Sequence, residues 1–246
     1  MIRLLTGCCL VAVAVMLAGG CTSSGTVGSS GKADKSADAE KGWTRVFDGQ
    51  TLAGWKVTDF EDHGAVRVAD GQLIFEIGKG DLTGVTWTGG RLPHMDYEIS
   101  LEAMRLDGED FFCGLTLPVK DSCLSLIAGG WGGTVVGLSC LDGYDAYNNE
   151  TTYMKTFENK KWYRFSVRVT AAKVGVWIDG EQVVDGKLTR LEEDNKIVNR
   201  QISVRYEVER SQPLGLAAYR TKAAVRNVRY RMLTPAEIAA AGKDPL

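Results

Sequence analysis

The chain has 246 residues, with 29 Lys and Arg against 31 Asp and Glu and a formal net charge of -2. That balance offers no polybasic surface for nucleic acid or anionic lipid, and 44% hydrophobic residues with 24% charged exclude wholesale disorder. Twenty-nine glycines against 5 prolines suit a turn-rich β protein better than one of long helices.

The N-terminus, MIRLLTGCCLVAVAVMLAGGC, carries one basic residue, Arg3, an apolar run from Cys9 to Ala18, and small residues Gly19 and Gly20 before Cys21. This is the layout of an export signal, and the run falls short of the ~20 apolar residues of a membrane span. Leu17-Ala18-Gly19-Gly20-Cys21 resembles the lipobox of bacterial lipoproteins, with Leu four residues before the cysteine instead of three. Residues 1–20 are therefore expected to be a lipoprotein signal peptide and Cys21 the lipidated residue. Ordinary signal cleavage, leaving Cys21 as a thiol, is the alternative. Residues 21–42, rich in Ser, Gly, Ala, Lys and Asp, have almost nothing to bury and read as a flexible tether. The expected location is the bacterial cell envelope, exported and held to the membrane by lipid, not charge.

From Trp43 onward the patterns have period two, and no stretch of 12 residues holds a clean helical stripe. In Asp96 to Leu106, Tyr97, Ile99, Leu101 and Ala103 share one face, and Glu98, Ser100, Glu102 and Met104 the other. In Trp162 to Val169, Tyr163, Phe165, Val167 and Val169 alternate with Trp162, Arg164, Ser166 and Arg168. Asp70-Gly71 and Asp179-Gly180 are hairpin turns between apolar runs. Further strands are predicted at Gly84 to Thr88, Phe111 to Leu117, Cys123 to Ile127, Thr134 to Cys140, Gln201 to Tyr206, Leu214 to Tyr219 and Ala223 to Leu233. Lys187 to Asn199 reads as a charged surface crossover. About a dozen short strands make residues 43–233 an all-β domain of two packed sheets. Residues 234–246 form a short helix or tail, with Thr234 as N-cap, Pro235 at the first helical position and Gly242 as stop. Cys113, Cys123 and Cys140 fall inside the domain, and one disulfide or three buried thiols fit equally.

Several segments together resemble one family. Trp43-Thr-Arg-Val-Phe-Asp-Gly-Gln-Thr-Leu-Ala-Gly-Trp55 is similar to the "LF(D/N)G…L.GW" opening of the DUF1080 or 3-keto-disaccharide hydrolase family, and Asp96-Tyr-Glu-Ile-Ser-Leu-Glu-Ala-Met-Arg105 to its "D(F/Y).L..E(F/W)(R/K)" strand. Lys161-Trp-Tyr163 with Val176-Trp-Ile-Asp-Gly-Glu181, and Val225-Arg-Asn-Val-Arg-Tyr230, resemble its later strands. The resemblance spans nearly all of the chain after Lys41. It implies a concanavalin-like, LamG-like jelly-roll β-sandwich of two antiparallel sheets acting on keto-sugars. Two segments depart from the family. Gly108 to Leu115 stands where many relatives have "NSG(I/V)", and Val136 to Glu150 where they often have "YE.QI.D".

Paired carboxylates cleave glycosidic bonds by acid/base work. Glu102, which matches the family's strand glutamate, is the first candidate, with Asp145 in an Asx-rich loop as partner and His94, just before that strand, as a third catalytic candidate. Asp142, Asp145 and Glu150 supply hard oxygen ligands for a divalent cation such as calcium, although their spacing is not that of an EF-hand. Trp131, between paired glycines in Gly129 to Gly133, is the best indole platform for a sugar face, with Trp177 and Arg105 as further substrate-binding candidates. No GxSxG, P-loop, HExxH or dinucleotide fingerprint occurs. The expected function is a keto-glycoside hydrolase acting on carbohydrate at the envelope. A non-catalytic carbohydrate-binding module on the same fold is the alternative.

Overall fold

A computed structural model describes residues 42–242. The expected signal peptide, the lipobox-like segment with Cys21 and nearly all of the expected tether lie outside the described residues. Strands run in chain order as β1 (Thr44–Arg45), β2 (Trp55–Val57), β3 (Val66–Ala69), β4 (Gln72–Phe75), β5 (Leu82–Trp87), β6 (Tyr97–Asp107), β7 (Cys113–Val119), β8 (Ser122–Gly129) and β9 (Val135–Ser139). They continue as β10 (Tyr153–Met154), β11 (Trp162–Val169), β12 (Lys173–Ile178), β13 (Glu181–Lys187), β14 (Thr189–Leu191), β15 (Ile197–Asn199), β16 (Gly215–Tyr219) and β17 (Lys222–Met232).

Two antiparallel sheets form a jelly-roll-like sandwich. The eight-stranded sheet has the order β13-β12-β11-β6-β17-β4-β3, with β1 on β17, and the seven-stranded sheet the order β10-β9-β8-β7-β16-β5-β2. Alternation decides which residues enter the core. Ile99, Leu101 and Ala103 of β6 and Phe165 and Val167 of β11 meet Leu115 and Leu117 of β7, Leu124 and Leu126 of β8 and Val136 and Leu138 of β9 in one cluster. At about 25 cal/mol per Å² of apolar surface removed from water, this shared layer is the main term holding the two sheets together. Cys113, Cys123 and Cys140 are all free and buried, and burial pushes the Cys113 thiol up to about 12.

The structure corrects two sequence expectations. Gln201 to Tyr206 is not a strand. It makes one isolated bridge, Leu141 with Ile202, and passes into a 3-10 helix, Tyr206–Ser211. Its apolar alternation arises because Val204 packs with Phe60, Leu82, Val208 and Ala217 on the outside of the seven-stranded sheet, not because it extends a ladder. Lys187 to Asn199 is a small hairpin of β14 and β15, turned at Asn195 with φ 60°. After β17 comes the helix Pro235–Ala241, capped by Thr234 and Glu237 reciprocally. Among the described residues, no helix is long and apolar enough to cross a membrane.

Candidate active site

The outer face of the seven-stranded sheet is built for enclosure. Ser125 and Ile127 of β8 and Ser139 of β9 alternate away from the core, and Leu82 and Tyr219 join them from β5 and β16. Three excursions of chain rise around this floor. One carries Asp110 and Phe111, one the Gly130–Gly133 turn with Trp131, and one Arg205, Glu207 and Val208 at the 3-10 helix. Together they line a half-open cleft of about 260 Å³, which suits a single small ring better than a long chain.

Trp131 reaches the rim because its turn is left-handed. Trp131 has φ 49° and Gly133 φ 98°, and a Cβ at Gly133 would sit 2.8 Å from Arg105 Nη1 and 2.9 Å from the Glu109 carbonyl. Only glycine fits there on both counts. The indole is 40% exposed and stacks on Tyr147 at 5.9 Å between centroids.

Arg205 organises the charges. Its Nε and Nη2 donate to Glu207 at 3.0 and 2.7 Å, and its Nη1 to Asp145 at 2.5 Å. Glu207 is held below the usual carboxylate range by those Arg205 hydrogen bonds, which outweigh its burial, and the guanidinium is held firmly protonated in return, chiefly by Glu207. Asp145 Oδ1 accepts from Ser139 Oγ at 3.3 Å and Cys140 Sγ at 3.4 Å. Burial pushes the Cys140 thiol up, so it is a poor nucleophile. Asp110 differs. Its Oδ1 accepts from the Phe111 backbone N–H at 2.7 Å, which leaves the second oxygen for a ligand.

The residues expected to act together are divided between the two sides of the sandwich. Asp145 and Trp131 belong to the seven-stranded side, where Ala146 packs against Ile127 and Val135. Glu102 alternates outward from the eight-stranded sheet and lines a different depression with Trp162, Arg164, Trp177 and Arg226. Its carboxylate accepts from Arg226 Nε at 2.8 Å and Asn227 Nδ2 at 3.2 Å. Burial raises its pKa, but these donors hold it below the usual value, a setting that opposes a general acid. Glu102 and Trp177 share a site with each other, and not with Asp145 or Trp131.

The remaining candidates are equally distinct. His94 Nδ1 lies 2.7 Å from the Lys120 carbonyl, in a shallow depression with Arg91, Leu92 and Pro213. Arg105 is 8% exposed. It donates to Asn159 Oδ1 and the Phe157 carbonyl, both at 2.6 Å, so it supports the Trp131 turn from beneath instead of reaching a ligand. Asp142 accepts from Arg200 Nε at 2.9 Å and Glu150 pairs with Arg200 Nη1, while Asp145 turns to Arg205. Among the described residues, no three His, Cys, Asp or Glu side chains gather as an ion would need, and the Asp142, Asp145 and Glu150 oxygens do not fit one cation.

Sequence reasoning passed over Asp110, Phe111, Arg205, Glu207 and Tyr219. A signal existed for the first two, because they lie in the Gly108 to Leu115 segment that departs from the family pattern. None existed for Arg205 and Glu207, because Arg205 meets its cleft partner Asp145 from 60 positions away in sequence.

Solved structures share this fold. The Crh5 transglycosylase in complex with NAG matches with TM-score 0.54 and 14% identity over 79% of this chain and 85% of that one. SCLam, a non-specific endo-beta-1,3(4)-glucanase from family GH16, matches with TM-score 0.50 and 11% identity over 78% and 92%. The carbohydrate-binding module CBM66 from Bacillus subtilis matches with TM-score 0.46 and 11% identity over 73% and 96%. At such identities the first two likenesses show the fold alone. No curated protein sequence matches the chain significantly. The family described as the 3-keto-alpha-glucoside-1,2-lyase-like domain does match, over residues 42–231. The chain therefore belongs to the 3-keto-alpha-glucoside-1,2-lyase-like family, a group associated with carbohydrates.

Proposed function

We propose that the Trp131 cleft takes the keto-sugar ring of a 3-keto-glycoside and that the protein is a 3-keto-glycoside hydrolase of the cell envelope. The observation that carries this reading is the pairing, in one ring-sized cleft, of a carboxylate with an uncommitted oxygen, Asp110, and a fixed cation, Arg205.

The chemistry follows from the substrate. A ketone at C3 acidifies the C2–H bond, so a carboxylate can take that proton while the electron pair moves into a C3 enolate. Arg205 has five N–H donors and commits three of them to Glu207 and Asp145. The other two would stabilise the enolate oxygen by charge-assisted hydrogen bonds. When the enolate collapses, the C1–O bond breaks, a C1=C2 bond forms, and the proton on Asp110 passes to the departing oxygen. Water adding across C1=C2 completes hydrolysis. Trp131 offers an indole face to the ring, while Phe111 and Tyr219 keep the cleft wall apolar. Glu207 and Asp145 act as positioning residues that aim the guanidinium.

The test is turnover of a synthetic 3-keto-glucoside followed by release of its leaving group. Wild type should cleave it, and Asp110→Asn should bind it without cleaving. Failure of wild type to turn over any 3-keto-glycoside, with binding retained, would select the binding-module alternative, which the commitment of both the Glu207 and Asp145 carboxylates to Arg205 favours. We also propose lipid anchoring through Cys21. Cys21→Ser should shift the protein from the membrane to the soluble fraction, and an unchanged distribution would count against it.

A further inference from the structure

The outer face of the eight-stranded sheet carries a second arrangement that the cleft chemistry does not use. On β11, Trp162, Arg164, Ser166 and Arg168 alternate outward, and β12 places Trp177 opposite Ser166. Four residues of strand and one strand spacing separate the two indoles, roughly 14 Å, and Arg164 stands between them. Trp177 lies flat over Gly175, where a Cβ would come within 2.6 Å of its ring. Arg168 lies 5.0 Å from that ring's centroid, and Arg226 4.0 Å from the Trp162 centroid.

The charges around these rings are unequally satisfied. Arg168 is paired with Glu98 and Glu237, and Arg226 with Glu102. Arg164 is exposed. Its backbone N–H donates to Asp179 Oδ1 at 2.8 Å, and the Glu102 carboxylate feels its charge, but among the described residues its guanidinium enters none of the ion pairs that hold Arg168 and Arg226. These side chains line a depression of about 640 Å³, more than twice the volume of the cleft.

We propose that this depression is a second binding site, for a saccharide bearing a carboxylate, such as a uronic acid oligomer. Arg164 would take the carboxylate as a bidentate pair, the indole edges of Trp162 and Trp177, whose faces carry Arg226 and Arg168, would flank it as apolar walls, and Ser166 and Asp179 would take hydroxyl groups. A neutral sugar would leave Arg164 unanswered, and a bare phosphate would leave both indoles unused. The site lies on the opposite side of the sandwich from Trp131 and stands independently of the catalytic reading.

The test uses the full chain and indole fluorescence with calorimetry, titrating oligosaccharides of galacturonate, of glucuronate and with terminal sialic acid, against the neutral galactose oligomer and inorganic phosphate. At least one acidic oligosaccharide should bind at least tenfold more tightly than the neutral one and weaken with salt. Arg164→Ala and Trp177→Ala should each lower that affinity at least tenfold, Arg164→Lys by less, and Trp131→Ala should leave it unchanged. Arg164 is exposed, so its variants should keep the wild-type melting temperature. No binding by any acidic oligosaccharide, equal binding of the neutral oligomer, complete competition by phosphate at comparable concentration, or loss through Trp131→Ala instead of Arg164→Ala would each overturn the proposal. Because Asp110→Asn stops turnover without touching this face, failure of the cleft reading and failure of this one give different results.

Discussion

The two outer faces of the sandwich are closed in different ways. On the eight-stranded side, long side chains lie down on their own sheet. Arg226 covers Trp162, Arg168 flanks Trp177, and Arg229 and Arg231 approach Trp43 at 4.6 and 5.4 Å, with Glu98, Glu102 and Glu237 tying the guanidinium groups together. On the seven-stranded side, the sheet turns short residues outward, Ser125, Ser139 and Gly137, and the chain itself comes back over them in the 141–149 loop and the 3-10 helix, so that they are buried. Side-chain cover gives a shallow, charged surface that follows the sheet. Main-chain cover has thickness, and where it stops short it leaves walls. That is why the half-open cleft, and with it the chemistry proposed for it, lies on the seven-stranded side.

The difference can be broken from either side. The largest effect is expected from Asp110→Asn, which removes the base while keeping the acceptor for Phe111 N–H. kcat on a 3-keto-glycoside should fall by about 10² to 10⁴, with substrate affinity and melting temperature near wild type. A loss confined to affinity would make Asp110 a binding group. Next is Glu98→Gln on the opposite face. Glu98 is 6% exposed, takes Arg168 at 3.1 Å and Arg231 at 2.5 Å, and also accepts from Ser166 Oγ. Removing that charge leaves Arg168 and Arg231 only Glu237 between them and should cost about 3 kcal/mol in a urea or thermal titration, while leaving activity in the cleft unchanged. Equal losses of activity and stability would show that the two faces are coupled.

Gly133→Ala should have a smaller effect, and it links the core to the cleft. It puts a side chain at φ 98° and pushes on Arg105 Nη1, which is already buried without a partner. Strain of about 1 to 3 kcal/mol is expected in the melting curve, together with weaker saccharide binding as Trp131 shifts. Trp131→Ala should reproduce the weaker binding without the loss of stability, and that contrast identifies the turn as the device that aims the indole.

The faces differ also in how much of them could be read from the sequence. The sandwich was legible because period two separates Leu101 and Ala103 from Glu98 and Glu102 without knowing the partner strands, and the same rule places Phe165 opposite Arg164. Alternation gives the side of one strand, however, and not which sheet that strand joins. Glu102 and Asp145 each read as outward-facing acids, and only the strand order β13-β12-β11-β6-β17 reveals that β6 faces away from the loop beyond β9. The acidic loop likewise read as ligands for a cation because its counter-ions, Arg190, Arg200 and Arg205, come from distant segments. The charge pattern of one segment cannot show that its charges are already matched. Trp131 was legible for a local reason: glycines on both sides of an aromatic residue mark a turn that holds it out.

The smallest expected effect concerns pH and tests the side-chain-covered face alone. Arg231, donating to Glu237 at 2.6 and 2.9 Å, holds this carboxyl at about 2, with Thr234 helping against a burial penalty. A group whose pKa is depressed by folding contributes its full stabilisation above its unfolded value, near 4.5, and loses it as pH falls towards 2. Its side chain is 26% exposed, so solvent screening should limit the contribution to about 1 kcal/mol, or roughly 2 to 4 °C in melting temperature for a domain of this size. Glu237→Gln keeps a side chain that can still close the capping box with Thr234 while removing the charge facing Arg168 and Arg231. Wild type should melt a few degrees above the variant at pH 6, and the two curves should converge between about pH 4.5 and 2. Other carboxylates held low by arginine, among them Glu207 in the cleft, titrate in both proteins and cancel from the difference. A gap that persists to pH 2 would mean that Glu237 acts through helix capping and packing, and that Arg168 and Arg231 are held by Glu98.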